Sequence, residues 1–139
     1  LPISDILIAD ETAAFQVAEI PRGLPGNGLW ALLAFRGVAS FADEVTLTGR
    51  TFQPGEAARW GMINAVVAPG EHLAEAEAWA ARIIKNPQLA VRDAVRTRRL
   101  YLQTFARDAA VVTQLRPSLH DSEDFKDKAQ AFARRREKG

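Results

Sequence analysis

Phe15-Gln-Val-Ala-Glu-Ile-Pro-Arg-Gly-Leu-Pro-Gly-Asn-Gly28 is the stretch on which the reading of this chain turns. An extended opening carries one carboxylate, Glu19, into a turn that contains Gly23, Gly26 and Gly28 and is stiffened by Pro21 and Pro25. Glycine admits backbone shapes and close approaches that a side chain forbids, and proline fixes φ, so such a segment can hold one shape beside a ligand. The expectation is a pocket wall with a single acid at its edge. On residue type alone Glu19 also reads as a surface acid at a strand end, paired with Arg22.

Outward from this loop, Asp5-Ile-Leu-Ile-Ala9 is an unbroken apolar run of the kind found in strands covered on both faces. The other strand signals are residues 14–18 and 62–67. These are too few to build a stable sheet covered on both sides, which predicts further polypeptide before Leu1. After Gly28 the pattern is helical: residues 29–35, then 40–48 from a cap at Ser40 to a stop at Gly49, then a short helix in 53–61 with Pro54 in its first turn. Residues 71–85 place Leu73, Ala76, Ala80, Ile83 and Ile84 on one stripe. A helix starting at Asn86-Pro87 follows, then 107–116 ended by Pro117, and 121–136 entered through Asp121 or Ser122. The fold class is α/β, with residues 1–68 as an α/β core and 69–139 as a helical region.

The 139 residues, 47% hydrophobic and 25% charged, suit one globular domain. The absence of cysteine excludes disulfides and thiolate metal sites and fits a reducing, cytoplasmic setting. His72 and His120 lack ligand spacing, so no metal site is expected. No apolar stretch approaches the roughly 20 residues of a membrane span, so no membrane association is expected. The net charge of +1 conceals an imbalance, since residues 1–60 hold 4 basic and 7 acidic side chains and the remainder 14 and 10. That excess invites a nucleic-acid reading through Arg92, Arg96, Arg98 and Arg99, but no aromatic residues are arranged among them for base stacking. A solvated helix face is the better reading.

Taken in order, the motifs resemble the C-terminal half of the crotonase superfamily, the enoyl-CoA hydratases and isomerases. The resemblance is carried by Asp5-Ile-Leu-Ile-Ala9, Ala14-Phe15 with Glu19 four residues on, Pro25-Gly-Asn-Gly28, Leu47-Thr-Gly-Arg50 and Ala57-Ala-Arg-Trp-Gly-Met-Ile-Asn64. It continues through Asn86-Pro87 to Ser122-Glu-Asp-Phe125 and Ala131-Phe-Ala-Arg-Arg-Arg136. Each piece is weak alone, and the ordered set is specific.

The resemblance implies a crotonase-like (ClpP/crotonase) fold and an acyl-CoA thioester substrate, with coenzyme A as part of that substrate and no separate cofactor. Chemistry beside a thioester needs backbone donors for the enolate oxygen and a carboxylate near the reacting carbon. Glu19 matches the second catalytic glutamate of the hydratases, which makes hydration of a 2-enoyl-CoA the expected reaction. Isomerase, hydrolase or a non-catalytic assembly role stand as alternatives. Gly23, Leu24, Gly26, Asn27, Leu29 and Trp30 are then expected around the acyl group, while Phe132 and Arg135 match contacts to the adenine and 3′-phosphate region. A homotrimer or dimer of trimers, assembled through the helical region, is also implied. The oxyanion donors and the first catalytic glutamate belong to the half of the fold ahead of Leu1, so this segment alone is expected to be inactive.

The chain also departs from the family pattern. The loop after Glu19 is one residue shorter, Gly28-Leu29 stands where a glycine pair is common, and Trp30-Ala31 replace hydrophilic residues. Asn27 sits where some members carry a second acid, and an amide cannot serve as a general acid or base.

Overall fold

The computed structural model describes residues 4–115 and 122–136, apart from the side chains of Thr113, Phe132, Arg135 and Arg136. The apolar run condenses into β1 (Ile8–Asp10), which pairs in parallel with β4 (Ala65–Val67), Ala9 lying beside Val66. Leu7 and Asn64 extend this pairing beyond the strand ends: Asn64 N–H donates to the Leu7 carbonyl (2.7 Å), and the Asn64 side-chain oxygen accepts from Leu7 N–H (2.9 Å). A second two-stranded ribbon joins β2 (Phe15–Gln16) antiparallel to β3 (Thr51–Phe52), with Phe15 opposite Phe52.

Between the strands lie α1 (Asn27–Arg36), α2 (Ala39–Thr48) and α3 (Pro54–Arg59). Their inner faces supply Leu33, Phe41, Ala42, Val45 and Ala57 to a core completed by Ala9, Val17, Phe52, Met62 and Ile63. Aromatic rings run through it in sequence. Phe15 stacks on Phe52 at 5.6 Å, Phe52 meets Phe41 edge-on at 5.4 Å, and Phe41 stacks on Trp60 at 5.8 Å. Such pairs add roughly 0.5–1.5 kcal/mol each beyond the area they bury.

The remaining chain forms α4 (His72–Ile84), α5 (Gln88–Gln114) and α6 (Glu123–Arg136). The Gln88 side-chain amide donates to the carbonyls of Ile83 (3.3 Å), Ile84 (3.1 Å) and Asn86 (2.9 Å), closing the C-terminus of α4 as the chain turns into α5. Antiparallel to α1, α5 is fastened along its length: Arg98 lies 5.6 Å over the Phe35 ring, Phe105 meets Phe35 at 5.4 Å, and the Asn27 amide donates to the Ala109 carbonyl (2.5 Å). Ser122 starts α6, its hydroxyl accepting from Phe125 N–H at 3.2 Å.

Several element boundaries differ from expectation. The two helices expected from Asn86-Pro87 and over 107–116 are one continuous helix over Gln88–Gln114, because nothing between Leu102 and Arg107 interrupts the backbone and Thr104 Oγ1 bonds back to the Leu100 carbonyl at 3.2 Å. Ser40 is not the cap of α2. Val38 takes the extended cap conformation and no side chain closes the end. Strand structure within 62–67 is confined to Ala65–Val67, since Met62 N–H is already committed to the Ala57 carbonyl (2.9 Å) at the end of α3. The strand at Thr51–Phe52 and a 3-10 turn at Ile20–Arg22 were not foreseen. The expected stop at Pro117 and entry at Asp121 lie outside the described residues.

Candidate active site

Glu19 stands at the mouth of the 3-10 turn. Its backbone carbonyl accepts from Arg22 N–H (3.0 Å) and Leu24 N–H (2.8 Å), so the main chain that follows the acid is held in the turn. The side chain is half-buried, and its Oε2 is shielded from solvent with no hydrogen-bond partner among the described residues. An ionised oxygen in that state is costly unless something else meets it. The turn closes at Gly23, whose φ of 75° suits glycine and whose N–H returns to the Ile20 carbonyl (2.9 Å). Gly26 is buried where a Cβ would fall 2.9 Å from Thr46 Cγ2 and 3.1 Å from Ile20 Cγ1.

The residues expected around an acyl group diverge in the structure. Leu29 faces an apolar cavity of about 360 Å³, shared with Leu7, Phe15, Leu33, Phe52 and Met62. Leu24 instead turns to α6, where it shares a small hollow with Arg22, Phe125 and Lys128. Gly23 lies against α6 as well, a Cβ there falling 2.9 Å from Phe125 Cα. The Asn27 amide is directed to α5, and the Trp30 indole N–H donates to Asp43 Oδ1 (2.6 Å) on α2. Glu19 and Gly26 are not among the residues that line the apolar cavity. Phe132 and Arg135 lie on α6, and their side chains are outside the described residues.

Two residues drew no notice in the sequence. Thr46 is 2% exposed, and its hydroxyl finds no partner among the described residues. In sequence it reads as an ordinary polar residue of an amphipathic helix, and only its closeness to Gly26 singles it out. Among the described residues, Arg36 is the one charged residue lining the apolar cavity. Its guanidinium donates to the Met62 carbonyl (3.0 Å) and the Asn64 side-chain oxygen (3.3 Å), and it also reaches the Ser4 carbonyl. Burial, and next the positive charge of Arg98, lower its proton affinity below the ordinary arginine value. A cation closing an otherwise apolar helix was the available signal.

Comparison with known proteins shows the family of the chain. Residues 2–139 match the family model for enoyl-CoA hydratase/isomerase. A carnitinyl-CoA dehydratase of Salmonella heidelberg is 27% identical over 143 residues, covering 96% of this chain and 54% of its own length. A short-chain-enoyl-CoA hydratase of Clostridioides difficile is 40% identical over 90 residues, 63% of this chain and 57% of that protein. Among solved structures, a carnitinyl-CoA hydratase from Mycobacterium avium superposes with a TM-score of 0.82 at 30% identity, over 97% of this chain and 54% of that one. The chain belongs to the enoyl-CoA hydratase/isomerase family, the crotonases, and has the architecture of the C-terminal portion of that fold. It spans about half the length of the curated relatives it matches.

Proposed function

We propose that this chain supplies the C-terminal half of an acyl-CoA-processing centre in which Glu19 moves a proton at a carbon near the thioester, most simply in hydration of a 2-enoyl-CoA. The supporting observation is the shielded Glu19 Oε2, without a hydrogen-bond partner among the described residues, at the head of a turn closed by bonds to the Glu19 carbonyl. A carboxylate so placed lacks a hydrogen-bond partner that a substrate proton or an activated water would provide. Names borne by the relatives, a carnitinyl-CoA dehydratase and a short-chain-enoyl-CoA hydratase, agree with chemistry of this class.

The donors that hold the enolate oxygen and the partner acid come, on this reading, from the other half of the fold. Residues 1–139 alone then bind the thioester poorly and turn it over negligibly, since loss of one oxyanion donor already costs about 2.7–4 kcal/mol of barrier. Coenzyme A enters as part of the substrate, Phe132 and Arg135 contact its nucleotide end, and the working assembly is a homotrimer or dimer of trimers. The test is Glu19→Gln in the chain completed by the other half, assayed with crotonyl-CoA. A fall in kcat of about 10²–10⁴ is expected for loss of a positioned proton carrier. Full turnover by a folded variant removes Glu19 from the mechanism.

A further inference from the structure

Among the described residues Thr46 is the one buried polar side chain, set on the inner face of α2 beside Phe41, Ala42 and Val45. A threonine inside a helix can satisfy its hydroxyl by bonding the carbonyl four residues earlier. Thr48, Thr97 and Thr104 all do so, at 2.7, 2.9 and 3.2 Å. Thr46 does not, and its Oγ1 is shielded from solvent with no hydrogen-bond partner among the described residues. A hydroxyl in that state costs the fold more than the methyl group of a valine in its place. Local rules broken at such a cost are found at functional sites.

The surroundings of Thr46 lead to the acid. Gly26 is clasped between the Thr46 methyl group and the side chain of Ile20, the residue directly after Glu19. Just past the end of α2, Gly49 is packed against Pro21 in the same way, and its carbonyl accepts from the Gln16 side-chain amide (2.8 Å) ahead of the acid. The C-terminal end of α2 is therefore the bed on which the Glu19 turn lies. On that bed two shielded oxygens, Thr46 Oγ1 and Glu19 Oε2, stand without a hydrogen-bond partner among the described residues. The other shielded atom of this kind, His72 Nδ1, lies on α4 and has Asp10 Oδ2 at 3.1 Å.

We propose that Thr46 is a positioning residue for the proton transfer assigned above to Glu19, its hydroxyl joined to Glu19 Oε2 through a single internal water; the proposal rests on that assignment. Buried waters bridge polar groups that protein partners leave unmet. A hydroxyl both donates and accepts, so it serves such a bridge whether the carboxyl group is ionised or protonated. The bridge holds the carboxylate in one orientation while its proton is taken up or released, and Thr46 itself touches no reacting atom.

The experiment compares Thr46→Val, Thr46→Ser and Glu19→Gln in the chain completed by the other half of the fold, assayed with crotonyl-CoA. Thr46→Val keeps the shape and removes the hydroxyl. It is expected to lower kcat about tenfold with KM within about twofold, as for loss of one hydrogen bond to a charged group, while Tm holds or rises. Thr46→Ser is expected to restore kcat, and Thr104→Val, at an exposed position of α5, to leave it unchanged. A crystal structure of the completed chain is expected to show one ordered water within hydrogen-bonding distance of both oxygens. A Thr46 hydroxyl bonded there to the Ala42 carbonyl overturns the proposal. So does a rise in KM with kcat intact, which puts the hydroxyl on the substrate. Full kcat in Thr46→Val beside an inactive Glu19→Gln overturns this proposal alone, whereas full turnover in Glu19→Gln overturns the assignment it rests on as well.

Discussion

The α1–α3 block and the α4–α5 arm contain similar apolar residues and use them in opposite ways. In the block, Phe41, Val45 and Ala57 are sealed from water. On the arm, Leu73, Ile84, Leu89 and Leu100 expose 64–70% of their surface, although each lies on an amphipathic helix. The difference teaches that a periodic apolar stripe reports what a helix needs covered, not whether its own chain covers it. Each exposed leucine forgoes about 1.5–3 kcal/mol that full burial could contribute.

That contrast can be broken most directly at Phe41. Phe41→Ala removes the ring that links Phe52 to Trp60, and a loss of about 3–5 kcal/mol in urea-monitored stability is expected. A loss under about 1 kcal/mol would mean the block is no better packed than the arm. Next in size is Gly49→Ala. Gly49 has φ 62°, and an added Cβ would fall 2.0 Å from Pro21 Cγ, which joins left-handed strain to a clash against the turn after Glu19. At least the roughly 1–2 kcal/mol of left-handed strain should be lost, with altered exchange at Ile20 and Gly23.

A smaller effect concerns the ionic clasp on the outside of the block. The Arg50 guanidinium, which also donates to Glu44 Oε1 (2.7 Å), bonds Glu56 and holds its carboxyl below the usual glutamate range. A depressed acid contributes stability above its unfolded pKa, about 4.3 for glutamate, and that contribution is lost as pH falls through the folded value. Glu56→Gln should therefore lower Tm at pH 7 and flatten the decline that sets in as pH falls below the ordinary glutamate range. An unchanged acid limb would show the clasp to be dispensable. Smallest of all is Leu89→Ser on the arm, expected within about 0.5 kcal/mol of the parent. A large loss there would show that the arm is already covered in solution, most simply by self-association.

Much of the block was legible because its signals are local. Pro54, Gly49 and Gly61 punctuate short helices, and Asp5–Ala9 has the composition of a buried parallel strand. The split of 86–116 failed for the opposite reason, since apolar periodicity alone cannot decide whether one helix ends and another begins without a breaker. At the candidate site, Glu19 was readable from its place between an extended run and a glycine-proline turn. The directions taken by Leu24, Asn27 and Trp30 were not, because they depend on α6, α5 and α2, whose partners lie 13 to 105 residues away in sequence. Thr46 was invisible for a similar reason: its contact with Gly26 forms only when α2 packs against the glycine-proline turn.

The contact between Gly23 and Phe125 has a practical corollary. Because there is no room for even a methyl group between them, the bend carrying the acid and the final helix share one surface. Trimming the polypeptide after Leu115, an inviting cut for anyone seeking a smaller domain, would strip that backing from the turn that carries Glu19.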